Sequence, residues 1–222
     1  MQRIPEPELM DEFEQARAYA EADFSEPNQR FAELFAAEFP ELRTGALLDL
    51  GCGPGDIALR LARRNPGLRV DGLDGSQPML DFGEARLRDE PELASRVRFV
   101  LGILPGAKLP RSRYDAIVSN SLLHHLHDPL VLWRTVLAHA APGAAVLVMD
   151  LYRPDSTGAA QEIVEAYAGE EPEILKRDFY NSLCAAFAPA EVREQLLQCG
   201  LGALDVRTVS DRHMIVAGRL PA

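Results

Sequence analysis

The chain has 222 residues, 47% of them hydrophobic, and a formal net charge of −11. That apolar share supports a full core and argues against disorder. Lys and Arg are scattered rather than interleaved with aromatics, so no nucleic-acid footprint is present. No apolar run reaches the length of a membrane span.

Residues 8 to 22, rich in Ala and Glu, read as a helix that ends at Asp23-Phe24-Ser25-Glu26-Pro27. A second helix covers 28 to 39, where Phe31, Leu34, Phe35 and Phe39 form one apolar face. Residues 1–40 are thus expected to form an N-terminal helical cap. Tyr19 and Phe24 border the break, and two roles are open for them: lining a substrate site or packing the helix pair onto a sheet. Met1 to Glu12 is polar with two prolines, unlike a secretory leader. Cys52, Cys184 and Cys199 show neither paired nor zinc-like spacing, which fits a reducing cytoplasm.

The most informative stretch is Leu47-Leu48-Asp49-Leu50-Gly51-Cys52-Gly53-Pro54-Gly55-Asp56. An apolar run ends on an acid, glycines alternate through a turn, and a helical pattern follows to residue 64. This reads as strand, tight turn and helix start, a place where a ligand can lie against backbone N–H groups. A dinucleotide turn needs G-x-G-x-x-G, and Asp56 stands where its third glycine belongs. No Gly-Lys-Ser/Thr follows, which excludes a P-loop. Cys52 sits inside the turn, where only a small side chain fits. Asp49, Gly51, Gly53 and Gly55 occupy the four places of E/D-x-G-x-G-x-G, and the stretch resembles the first motif of the class I S-adenosylmethionine-dependent methyltransferases.

Leu68 to Asp74 reads as a second strand ending on an acid, at the carboxyl edge where ligands collect in such sheets. The resemblance implies that Asp74 accepts from the cofactor ribose; a helix N-cap is its other reading. Gly75-Ser76-Gln77-Pro78-Met79-Leu80 matches the family's D-x-S-x-x-M-L run, implying that Gly75 and Met79 border the adenine, with ordinary core the alternative for Met79. A helix over 77–88 leads to a third strand, 96–102. Relatives commonly follow it with Gly-Asp, whereas this chain has Gly102-Ile103, so only backbone is left there to contact adenine.

A fourth strand covers 114–120 and suits a central position. With Leu123-His124-His125-Leu126-His127-Asp128-Pro129 behind it, it resembles the family's F/Y-D-x-I/V-x-S/N…L-H-H-L-x-D-P stretch. That implies Asn120 near the cofactor's methionine part, and His124 and His125 either touching the acceptor or serving the turn. No metal is expected, on the reasoning that adjacent histidines on one turn point apart.

Residues 130–140 are helical, Ala141-Pro142-Gly143 closes that helix, and 144–151 is a fifth strand. Helical segments over 156–169 and 172–187 fill an insertion, 152–188, which in this family shapes the acceptor pocket. Arg153, Lys176, Arg177 and Tyr180 there either hold an anionic acceptor or are solvent-facing and packing residues. A helix over 189–200 and strands at 204–209 and 213–218 complete the pattern. The expected fold is therefore a Rossmann-like, doubly wound α/β sheet of seven strands, the last antiparallel, with helical cap elements. The expected activity is methyl transfer from S-adenosyl-L-methionine to a small-molecule acceptor. Non-methyl chemistry on a related cofactor, or binding without catalysis, are the alternatives. Because the sulfonium carries its own activation, no base is required; His125, Tyr152 and Tyr180 are the candidates, in that order.

Overall fold

The computed structural model describes residues 1–9 and 12–222. Seven strands build one sheet: β1 Thr44–Leu50, β2 Gly67–Asp74, β3 Val97–Leu101, β4 Tyr114–Asn120, β5 Ala140–Leu151, β6 Asp205–Thr208 and β7 His213–Arg219. Their order is β3-β2-β1-β4-β5-β7-β6, and β7 runs antiparallel to both its neighbours. This is the doubly wound arrangement expected. The helices are α1 Phe13–Glu21, α2 Ser25–Glu38, α3 Asp56–Arg64, α4 Gln77–Arg88, α5 Leu130–His139, α6 Thr157–Ala168, α7 Glu173–Ala185 and α8 Pro189–Gln198.

Side-chain alternation along the strands makes two apolar layers. Leu47, Val118 and Leu147 point to one face, where they meet Phe31 and Phe35 of α2 and Leu59 and Leu61 of α3. Leu48, Ile117 and Val146 point to the other, against Trp133 and Val136 of α5 and Val192 and Leu196 of α8. Trp133 is fully buried, and its indole N–H donates to Gln195 Oε1 at 3.0 Å, so the burial leaves no orphaned donor. No helix among the described residues is long and apolar enough to cross a membrane.

Two boundaries differ from the sequence reading. The first helix starts at Phe13 instead of residue 8, and Glu8 and Leu9 belong to an extended strap; Met10 and Asp11 lie outside the described residues. The fifth strand starts at Ala140, which pairs with Tyr114 before a register shift brings Ala145 opposite Ala116. Pro142 and Gly143 therefore sit at an irregularity within a strand. Their turn signal was real, but ladder pairing resumes on both sides of it.

One polar cluster is built into the sheet. Asp71 on β2 is 1% exposed; it accepts from Tyr114 Oη and Arg98 Nε, both at 2.9 Å, and also from Arg111. Burial, then the hydrogen bond and charge of Asp71, push the Tyr114 hydroxyl well above its ordinary range. Asp71→Ala should cost about 3 kcal/mol by stranding the buried Tyr114 hydroxyl and unpairing two guanidinium groups. A urea unfolding curve read against wild type checks this.

Candidate active site

The order of the sheet reverses between β1 and β4, and the carboxyl ends of these strands border a crevice. Over β1 the glycine turn folds back on its own sheet. The N–H groups of Gly51 and Cys52 both donate to Leu73 O, that of Gly55 to Cys52 O, and that of Gly53 to Asp74 Oδ2 at 2.8 Å. Four N–H groups of the turn are thus spent within the protein, whereas the sequence reading expected bare donors. The turn provides close approach instead. Gly53 has φ +51°, and a Cβ built on it meets nothing within 4 Å, so it would project into the crevice. Gly55 is different: at φ +79°, its Cβ would lie 2.4 Å from the Phe99 ring. It borders neither cavity, and its expected cofactor role is corrected to packing of the turn against β3.

Two acids face the crevice. Asp74 ends β2, its carboxylate receiving Gly53 N–H and Ser76 N–H, each at 2.8 Å. Ser76, not Asp74, caps α4. Burial raises the Asp74 carboxyl, and bonds from Ser76, Gly53 and Gly75 oppose it. Asp49 is 1% exposed, and burial followed by the charge of Asp74 pushes it up to about 8. Its Oδ2 has no hydrogen-bond partner, nor has Asn120 Oδ1 at the end of β4. Both side chains, with Cys52 and Gly53, line a small cavity of about 60 Å³.

A main cavity of about 580 Å³ continues from there. Gly51, Asp74, Gly75, Met79, Gly102 and Ile103, all expected at the cofactor, line it together. Tyr19 and Phe24 also line it while packing on each other with centroids 4.7 Å apart. Burial, then nearby acids, push the Tyr19 hydroxyl up to about 12. Helices α6 and α7 close the far side through Tyr167, Glu171, Asp178 and Phe179.

His124 and His125 occupy a short 3-10 turn, Leu123–His125, on the cavity wall. The rings do not point apart, as the spacing suggested; their centroids are 4.2 Å apart with a 36° tilt. His124 Nδ1 lies 2.5 Å from Asp150 Oδ1, and Asp150 Oδ2 accepts Leu123 N–H at 2.7 Å. Burial pulls the His124 imidazole down, but the charge and hydrogen bond of Asp150, with Glu6 behind, leave it above its ordinary value. Burial and His124 hold His125 well below the ordinary range, and its Nδ1 has no hydrogen-bond partner.

The strap before α1 reaches this point. Ile4 N–H donates to Cys184 O at 2.9 Å, Ser182 Oγ donates to Glu6 Oε1 at 3.0 Å, and His127 N–H donates to Glu8 Oε1 at 2.7 Å. Glu6, Glu8 and Asp150 were all missed in the sequence. Asp150 carried a signal, because it ends an apolar strand as Asp49 and Asp74 nearly do. Glu6 carried none.

Four expected residues lie elsewhere. Tyr152 donates its hydroxyl to Asp211 O at 2.7 Å, and Tyr180 packs with Leu151, Ala160 and Leu183. Arg153 bonds Ala186 O at 3.0 Å and Glu191 at 2.8 Å. Arg177 is largely solvent-exposed beside Asp178. None of the four lines the cavity.

Comparison with known proteins agrees with this geometry. Residues 48–146 match the model of a methyltransferase domain. The chain is 33% identical over 169 residues to an uncharacterized methyltransferase of Mycobacterium tuberculosis, covering 76% of this chain and 82% of that protein. It is 28% identical over 176 residues to a trans-aconitate 2-methyltransferase of Rhizobium meliloti, covering 79% of this chain and 61% of that one. A crystal structure of a putative S-adenosyl-L-methionine-dependent methyltransferase from Methanococcus maripaludis superposes with TM-score 0.74 at 17% identity, over 99% and 98% of the two chains. The chain belongs to the class I S-adenosylmethionine-dependent methyltransferases. Its cofactor is S-adenosyl-L-methionine.

The raised Asp49 gives a pH test. The folded chain keeps a proton on Asp49 that the unfolded chain, with a value near 3.8, gives up. This contribution to stability is therefore lost as pH rises toward about 8. A cation bound beside Asp49 reverses the shift, so binding S-adenosylhomocysteine, which keeps the amino group, should release a proton at pH about 7 and tighten as pH rises toward about 8. Calorimetry in buffers of different ionisation enthalpy measures the release; equal heats in all buffers would remove the assignment. Asp49→Asn should abolish it.

Proposed function

We propose that this methyltransferase acts on a small, uncharged acceptor held between the histidine pair and helices α6 and α7. The observation that carries the reading is a set of three buried atoms without hydrogen-bond partners, Asp49 Oδ2, Asn120 Oδ1 and His125 Nδ1, spread along one continuous crevice. The first two suit the amino end of the cofactor, and the third marks the acceptor end. Asp74 suits the ribose hydroxyls, while Met79 and the backbone of Gly102 and Ile103 suit the adenine. Bound there, the cofactor supplies a methyl group already activated by its sulfonium. The chain's own task is alignment, which in favourable cases lowers a barrier by about 7–11 kcal/mol.

The anionic acceptor expected from Arg153 and Arg177 loses both cations, since neither lines the cavity. Arg212 lines it, stacked over the Tyr167 ring, against the carboxylates of Glu8, Asp23, Glu26, Glu171 and Asp178. Such a lining disfavours a polycarboxylate and favours a neutral hydroxyl, thiol or amine compound. All three cysteines are free, which supports a reducing, cytoplasmic setting.

Two substitutions test the two ends. Gly53→Ala places a methyl group in open space and should leave the fold intact apart from about 1 kcal/mol of backbone strain. S-adenosylhomocysteine affinity should fall at least about tenfold, since a single misplaced contact of 1.4 kcal/mol suffices for that; unchanged affinity would remove the turn from the cofactor site. Turnover with a panel of neutral and carboxylate acceptors, followed by formation of S-adenosylhomocysteine, tests the other end. Neutral acceptors should be methylated, and preference for tricarboxylates would overturn the charge argument.

A further inference from the structure

At the acceptor end, Glu6, His124 and His125 bring one ligand atom each to a common point. Glu6 Oε1 lies 3.5 Å from His124 Nε2 and 3.3 Å from His125 Nδ1, and the three atoms are all within 4.8 Å of one another. Ligand–ion distances of about 2.0–2.1 Å in tetrahedral geometry put ligand atoms about 3.3–3.4 Å apart. The two measured separations match that edge. They do not match ordinary hydrogen bonding, and His125 Nδ1 forms none although both histidines are deeply buried.

The surroundings also have the form of a metal site. A ligating histidine commonly gives its second ring nitrogen to a carboxylate, which orients the ring and raises its basicity. His124 does this with Asp150 at 2.5 Å, and the backbone N–H of Leu123 fixes Asp150 in turn. Ser182 does the same for Glu6. Glu6 and Asp150 place two carboxyl groups in a largely buried space. Arg3 is the nearby cation. Its guanidinium is spent on the carbonyl oxygens of His124, Leu126 and Ala185, away from the three ligand atoms.

We propose that Glu6, His124 and His125 form a binding site for a divalent transition-metal ion of the zinc type, on the acceptor side of the methyl-transfer site. Two histidines and one carboxylate leave one position of a tetrahedral ion for a further ligand. On the reading that the acceptor lies at this end, that position narrows the acceptor to a hydroxyl or thiol compound. With Nδ1 turned to Asp150, His124 would bind the ion through an unprotonated Nε2. The acceptor's O–H or S–H proton also leaves to solvent, eased by the ion's charge. Its lone pair then forms the new bond to the methyl carbon while the carbon–sulfonium bond breaks, that electron pair staying on the cofactor sulfur. In a cavity where, among the described residues, carboxylates outnumber the one guanidinium, Arg212, the ion supplies the positive charge an ionised acceptor needs.

The test uses the full chain, purified without a histidine tag and stripped with a chelator, then titrated with Co²⁺ and Zn²⁺. One Co²⁺ per chain should bind with the intense visible bands of four-coordinate cobalt, and Zn²⁺ should bleach them. Glu6→Gln and His125→Ala should abolish the bands, and Asp150→Asn should weaken binding by roughly 10–100-fold. Absence of stoichiometric binding, or binding that Glu6→Gln and His125→Ala both leave unchanged, overturns the site. S-adenosylhomocysteine titration of the same samples reports separately on folding and on the cofactor end. A protein that binds it but not cobalt refutes the metal site while leaving the methyltransferase assignment standing.

Discussion

Two carboxylates buried at neighbouring strand ends are the constraint around which the rest of this molecule is arranged. Asp49 and Asp74 face one crevice, and after burial it is the charge of Asp74 that raises Asp49's cost of ionisation. Water cannot relieve Asp49, which is 1% exposed. The backbone relieves Asp74 by turning the Gly53 and Ser76 N–H groups toward it. Asp49 receives one backbone bond, from Ala58, and none at its Oδ2. The asymmetry is chemically useful. A carboxylate already satisfied by the backbone keeps a fixed position for neutral hydroxyls, while an unsatisfied one is matched by a positive charge.

The same constraint explains why the glycine turn differs from a phosphate-binding loop. A loop that cradles phosphate keeps its N–H groups free for the anion. Here those of Gly51, Cys52, Gly53 and Gly55 are consumed by Leu73 O, Cys52 O and Asp74, so what these four residues offer is close approach. The Asp74 carboxylate, bonded to the turn at Gly53, would repel a diphosphate in any case. Backbone bonding and side-chain charge exclude the same ligands independently.

Much of this was legible because it is local. Asp49, the glycines and Asp74 are fixed by strand-turn-helix patterning within β1, α3 and β2, and chain order alone carries them to adjacent strand ends. Gly55 was misassigned because a motif position does not reveal what stands opposite a missing Cβ; Phe99 comes from another strand. Arg153 and Arg177 failed for a related reason. A cation in an insertion can pair with any acid the fold brings near, and Glu191 and Asp178 were nearer than the cavity. The reading of the histidine pair turned on ring orientation, which Asp150 decides from β5. Glu6 was beyond reach altogether, since it meets His124 from the other end of a strap whose path no periodicity describes.

This division between local and long-range determinants coincides with the division between the two halves of the active site. Asp49, the glycine turn, Asp74, Asn120 and both histidines lie within 48–146, the segment matching the family model. Glu6, Asp150, Tyr167, Asp178 and Arg212 lie outside it, on the strap, the end of β5, the α6–α7 insertion and the β6–β7 connection. The first set is tied to sheet geometry. The second set hangs on segments whose length and course the sheet does not dictate. Relatives can therefore share one cofactor end while differing in acceptor, and a relative's acceptor does not transfer through the shared segment. On the function proposed above, the acceptor end joins both sets, with Glu6, Tyr167, Asp178 and Arg212 coming from the outer segments and the two histidines from within 48–146.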